Sequence, residues 1–140
     1  MAKRFNIPKK IQQLQRTKAT LPRVIGNMAK NHFLESWRNE AFSDTSTGSN
    51  PWAARKTATK QDRRTGKRRN LLVQSGALRR SVRVGSATWS AIRVGSYGIP
   101  YAQRHNRGLD GMPQRQFIGS SAMLNKKIRA RLANEIKRII

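Results

Sequence analysis

An α+β fold is what this sequence predicts: N-terminal helices, a small antiparallel β-sheet with a short helix, a C-terminal helix, and one long basic loop. Three observations carry the expectation. Apolar residues recur at three- and four-residue spacing before residue 43 and after residue 120, the period of a helix with one buried face. Between Val82 and Val94 they alternate with arginine, as half-buried strands do. Residues 43–70 turn to Ser, Thr, Gly, Lys and Arg, with almost nothing to bury. At 140 residues and 36% apolar content the chain can fill one modest core. It therefore reads as a single domain, 1–140, in which residues 1–42 are helical, residues 43–70 form a mobile basic loop and residues 71–140 make an α+β core.

Ile7, Ile11 and Leu14, with Pro8 in the first turn, predict a short, weakly amphipathic helix. Thr20 as a cap and Pro22 in a new first turn predict a second helix to about Phe42, with Leu21, Ile25, Met28, Ala29, Phe33 and Trp37 on its apolar face. His32 shares that face and reads as a hydrogen-bonded core histidine. In the loop, Trp52 is the one large apolar anchor, while Arg55, Lys56, Lys60, Arg63, Arg64, Lys67, Arg68 and Arg69 are candidate contacts for DNA or an acidic partner. Irregular segments this long are uncommon inside a domain unless they bind something, so ordering on assembly is expected.

Leu71, Leu72 and Leu78 around Ser75-Gly76 predict a turn leading into a strand. Val82 and Val84 then face Ile92 and Val94 in an antiparallel hairpin turning at Gly85-Ser86-Ala87-Thr88, with a bulge to reconcile Trp89, Ala91 and Ile92. Gly98 and Pro100 introduce a short helix with Tyr101, Ala102 and His105 on one face, which Gly108 ends in a left-handed conformation. Met112-Pro113 imposes extended backbone before Gln116-Phe117-Ile118, a further strand beside the hairpin. Tyr101 and Phe117 are expected to be core rings. Ser120 or Ser121 caps a last helix with Leu124, Ile128, Leu132, Ile136 and Ile139 in a stripe, its final cations complementing the helix dipole.

Thirty Lys and Arg against six Asp and Glu give a net charge of +24, spread over the whole chain. Self-repulsion at that density points to a polyanion or to compensating neighbours. There is no cysteine, so disulfides and thiolate metal sites are excluded, and no apolar run is long enough to span a bilayer. The two histidines fall on different helices without carboxylates at ligand spacing; no metal, no cofactor and no catalytic residue is expected. Thr65-Gly66-Lys67-Arg68 lacks the leading glycine and metal-binding hydroxyl of a phosphate loop. Nothing matches zinc-finger or aromatic RNA-recognition patterns, which leaves phosphate contact without sequence preference. Composition alone also fits a stand-alone nucleic-acid-binding protein of ribosomal or chromosomal type.

The second half carries a more specific pattern. Pro51-Trp52 leads to Leu72, Ser75, Gly76, Leu78, Ser81 and Val82; Val94-Gly95-Ser96 is followed by Pro100, Tyr101, Ala102, His105 and Gly108; and Pro113, Arg115, Phe117, Ile118 and Gly119 precede the last helix. In order and spacing this resembles the virion-morphogenesis or tail-completion family of tailed bacteriophages, neck proteins related to the G protein of phage Mu. The likeness spans roughly residues 50–140. It implies a structural, non-enzymatic role at the head–tail junction, a homo-oligomeric ring through which packaged double-stranded DNA passes, neighbouring neck, portal-adaptor or tail proteins as partners, and assembly in the host cytoplasm into the virion. The basic run from Arg55 to Arg69 exceeds what the family pattern requires.

Overall fold

The structure, a computed structural model, describes residues 6–44 and 50–140. It is α+β: a long N-terminal helix, two small antiparallel sheets and a C-terminal helix. The first helix, α1, runs from Ile7 to Asn39. At about 1.5 Å per residue its 33 residues span roughly 50 Å. Asn6 caps it, its side chain accepting from the Lys9 amide, and Pro8 occupies the first turn.

The two helices expected before residue 43 are one. Thr20 is not a cap; its hydroxyl donates to the Arg16 carbonyl inside the helix, and Pro22 is an interior residue. An interior proline forfeits a hydrogen bond and costs about 3 kcal/mol, normally enough to end a helix. Tertiary contacts on both sides of it offset this. Downstream, Ile25, Ala29, Phe33 and Trp37 are all buried at four-residue intervals. Upstream, the Lys10 ammonium donates to the terminal carbonyls of Ile139 and Ile140 at the far end of the chain. Ile7, Ile11 and Leu14 are nonetheless exposed.

Glu40, left-handed at φ 47°, ends α1 earlier than the apolar pattern predicts, and Ala41–Phe42 (β1) pairs with Asn50–Pro51 (β2). Residues 45–49 of the expected loop lie outside the described residues. From 50 to 70 the chain is not irregular throughout, because Lys60–Thr65 forms a helix, α2. After Ser75-Gly76 comes another short helix, α3 (Ala77–Ser81), where a strand was expected to begin at once. The hairpin follows as β3 (Val82–Ala87) and β4 (Ile92–Ser96).

Register places Val84 opposite Val94 but Ser86 opposite Arg93, so the bulge falls at Gly85. The turn is correspondingly later, closed by the Thr88 amide on the Ala91 carbonyl, with Trp89 exposed at its tip. Helix α1 crosses this hairpin at Gly26, where a Cβ would stand 3.1 Å from a Val84 methyl. Any larger residue there would require the Val84 side chain to give by a few tenths of an ångström.

Helix α4 (Ala102–Arg107) ends at left-handed Gly108, as expected. The strand expected at Gln116–Ile118 is absent. Instead the Asn106 carboxamide accepts from the Phe117 and Ile118 amides and donates to the Ile118 carbonyl, supplying from a side chain what a neighbouring strand would supply. Helix α5 (Ala122–Ile139) is capped by Ser121. Of its stripe, Leu124 and Ile139 are buried while Ile136 is 54% exposed.

The core joins these elements around aromatic rings. Trp37 lies 4.9 Å from Phe117 and meets Trp52 edge-on at 5.8 Å. Leu71, Leu78, Val82 and Leu124 close around them. His32 sits in this region as expected: Nε2 lies 3.0 Å from the Ser43 carbonyl and 3.1 Å from Ser121 Oγ. Its Nδ1 is buried without a partner among the described residues.

Candidate anion-binding surface and cavity

The basic segment is organised by its single acid. Thr59 caps α2 reciprocally with Asp62: the Asp62 amide donates to the Thr59 hydroxyl and the Thr59 amide to the Asp62 carboxylate. The same carboxylate accepts from the Arg69 amide at 2.8 Å and stands 3.7 Å from Arg55. Hydrogen bonds from Thr59, side chain and backbone, and from the Arg69 amide hold the Asp62 carboxyl down at about 2. Arg55 bridges the two ends of the segment, donating to the carbonyls of Arg69 and Asn70. Arg68 pairs with Glu40 at 2.7 Å. Burial works against the Glu40 charge, but hydrogen bonds from Arg68 and the Leu71 amide outweigh it and its pKa is lowered.

These contacts sort the eight candidate cations. Arg55 and the exposed Arg68 are engaged by partners within the chain, and Arg69 lends its backbone to the Asp62 network. Lys56, Lys60, Arg63, Arg64 and Lys67 are exposed. Lys60 and Arg63/Arg64 are three and four residues apart on α2, hence on one helix face. That face, with Lys67 after the left-handed Gly66, is what the segment offers to an anion.

The motif residues from the second half meet in space. Trp52 is buried and its indole donates to the Gln116 carbonyl at 2.7 Å, while Arg115, two residues before Phe117, donates twice to the Ala53 carbonyl at 2.8 and 2.9 Å. Gly76 is left-handed at φ 77° before α3, and Leu78, Ala102 and Phe117 are buried. Pro100 and Pro113 are exposed and shape the backbone on either side of α4. Tyr101 is not a core ring. It is 41% exposed, its ring edge-on to His105 at 5.9 Å.

Between the basic segment and α4 lies a cavity of about 630 Å³. Leu72, Val73 and Leu78 make an apolar wall, Tyr101 and His105 line another side, and Arg55, Lys60, Arg69 and Arg115 bring positive charge. Burial, then the charge of Arg115, lowers the pKa of His105 and so disfavours the charged ring. Burial, then the charge of Arg55, also pulls Arg115 below an ordinary arginine. Among the described residues no group of three or more His, Asp or Glu is placed to hold a metal ion.

Sequence reasoning missed Arg115 as a cavity residue, although it stands in the Pro113-x-Arg115-x-Phe117 pattern. It also missed the capping box, whose Thr59-x-x-Asp62 spacing was there to read amid the surrounding charge.

Residues 4–137 match the phage virion morphogenesis family. The chain belongs to that family. Comparison with curated proteins and with solved structures gives no match. In this virion morphogenesis protein, the matched region takes in α1 and α5 as well as the motif around the cavity, so the likeness reaches further towards the N-terminus than residues 50–140. No described helix of the family member is long and apolar enough to cross a membrane.

Proposed function

We propose that this virion morphogenesis protein is a structural component of the phage head–tail junction, a neck or tail-completion protein related to the G protein of phage Mu. Copies form a ring around the DNA channel, next to portal-adaptor or tail proteins. The observation that carries this reading is the family match over nearly the whole chain. The net charge of +24 supports it, since cations facing a channel neutralise passing phosphates without reading bases and ring neighbours offset the repulsion within one copy. No catalytic step belongs to it.

A phage lacking the gene is expected to accumulate DNA-filled heads and tails that fail to join, or tails that fail to mature. Wild-type numbers of infectious particles would overturn the proposal.

Lys60, Arg63, Arg64 and Lys67 are the cations we assign to phosphate contact, because they are exposed and grouped on and just after α2. Duplex DNA binding by the isolated protein is expected to be independent of sequence, and its logarithm to fall with the logarithm of salt by about 0.9 per phosphate neutralised. Neutralising these four together should flatten that slope. An unchanged slope would move the DNA-facing surface elsewhere on the molecule, the cations of α5 first.

A further inference from the structure

The cavity between the basic segment and α4 has a feature that neither DNA contact nor core packing accounts for. Its lining holds Arg55, Lys60, Arg69 and Arg115 and no carboxylate. Arg115 is only 8% exposed, and its guanidinium makes two hydrogen bonds to one neutral carbonyl with no carboxylate within 4.0 Å among the described residues. Only the more distant Glu40 charge acts in its favour, and a buried guanidinium without a paired carboxylate is costly to keep. The apolar wall of Leu72, Val73 and Leu78 lies across the same space.

We propose that this cavity is a socket for an acidic peptide segment of a different protein, one that inserts a carboxylate side chain toward Arg115 with an apolar side chain beside it against Leu72 and Val73. The inference rests on the reading of the protein as a virion component with protein neighbours and names the chemistry of one of them.

Shape and charge choose among occupants. Duplex DNA presents its phosphates on a convex rod wider than a cavity of about 630 Å³ can admit, so it meets the exposed face of α2 and not recessed Arg115. A second copy is a poor donor. Glu40, Asp62, Asp110 and Glu135, four of the chain's six acids, are already in ion pairs, and two copies at +24 repel. A different chain, rich in Asp or Glu and carrying an apolar residue beside the acid, satisfies both walls. Arg115 is already desolvated, so only the incoming carboxylate adds a desolvation cost, and the Coulomb attraction between the two is stronger there than in open water.

The test uses the full chain and a fluorescein-labelled decapeptide of alternating Asp, Leu and Glu, read by anisotropy. The expected result is saturable binding with one site per chain. Replacing Asp and Glu in the peptide by Asn and Gln should weaken binding at least tenfold. K60E and Q74E, both at exposed lining positions, should together weaken it at least tenfold, whereas K18E on α1, a charge change away from the cavity, should leave it unchanged. Arg115→Gln should abolish binding, and Arg115→Lys restore some of it, in protein whose melting is checked separately. Equal binding of the amide peptide, or equal weakening by K18E, would overturn the proposal. So would displacement of the peptide by oligothymidylate in Arg115-dependent fashion, which would make the site a nucleic-acid site, or loss of binding on self-association, which would make it a contact between copies. Absence of peptide binding in a protein whose deletion still blocks particle completion overturns the socket alone. Complete particles from the deletion strain overturn the virion role itself.

Discussion

Replacing Phe117 with Ala removes a ring that is 1% exposed and 4.9 Å from Trp37, at the meeting point of three chain segments. The expected cost is about 3–5 kcal/mol, a large share of the stability of a domain this size, read by urea or thermal unfolding. Tyr101→Ala should behave differently. Its ring is 41% exposed, and what it loses is mainly the edge contact with His105, a cost below about 1.5 kcal/mol. A Tyr101 variant that unfolds as easily as the Phe117 variant would return the ring to the core. The two residues look alike in the sequence, each an aromatic amid prolines and glycines. What sets Phe117 apart is tertiary: its backbone amide and that of Ile118 are held by the Asn106 carboxamide, a polar contact that spacing does not reveal.

The basic segment is held at the level of an element by one carboxylate. Asp62 caps α2, receives the Arg69 amide and pairs with Arg55, so its loss releases both ends of the segment together. Asp62→Ala should speed limited trypsin cleavage after Arg63, Arg64 and Lys67 without changing the circular dichroism of the long helices; an unchanged cleavage rate would show that the segment is anchored elsewhere, at Trp52. In the intact monomer we expect the first cuts to fall between Arg55 and Arg69, since this is where exposed trypsin sites cluster on a six-residue helix. Helix α1 makes the complementary point. Its interior Pro22 survives because Lys10 and the α5 terminus hold the outer half while the core holds the inner half, and neither support is local to the proline.

Across the whole molecule, the response to acid follows from two histidines, His32 buried and His105 half-buried. His32 and His105 both have pKa values lowered from 6.5, each by burial first. The unfolded chain therefore binds more protons than the folded one as pH falls past 6.5, and stability rises with pH in that window. The melting midpoint should drop as pH is lowered from about 7.5 to about 5.5, where the unfolded histidines become charged. A second fall should follow below about pH 4, as the depressed carboxyls of Glu40 and Asp62 begin to protonate. The variant with His32 and His105 both replaced by Gln should lose the first fall and keep the second; a midpoint flat from pH 7.5 to 5.5 in the parent protein would contradict the assignment.

Periodicity and punctuation by themselves determined the α+β class, a serine cap on α5 at Ser120 or Ser121, the Gly108 helix end and the hairpin, because these depend on residues close together along the chain. Charge by itself pointed to an anionic partner, since no fold hides thirty cations behind six acids. Tertiary structure alone decided that α1 runs unbroken through Pro22, that the hairpin bulges at Gly85, that Gln116–Ile118 is fed by a side chain and not a strand, and that Tyr101 faces outward. It also decided which cations pair within the chain. Arg55 and Arg68 are indistinguishable from Arg63 and Arg64 in a run of like charges, and only the positions of Asp62, Glu40 and two backbone carbonyls separate them. The physical reason is the same in each case: a local pattern records what a residue prefers, whereas a buried partner many residues away determines whether that preference is met.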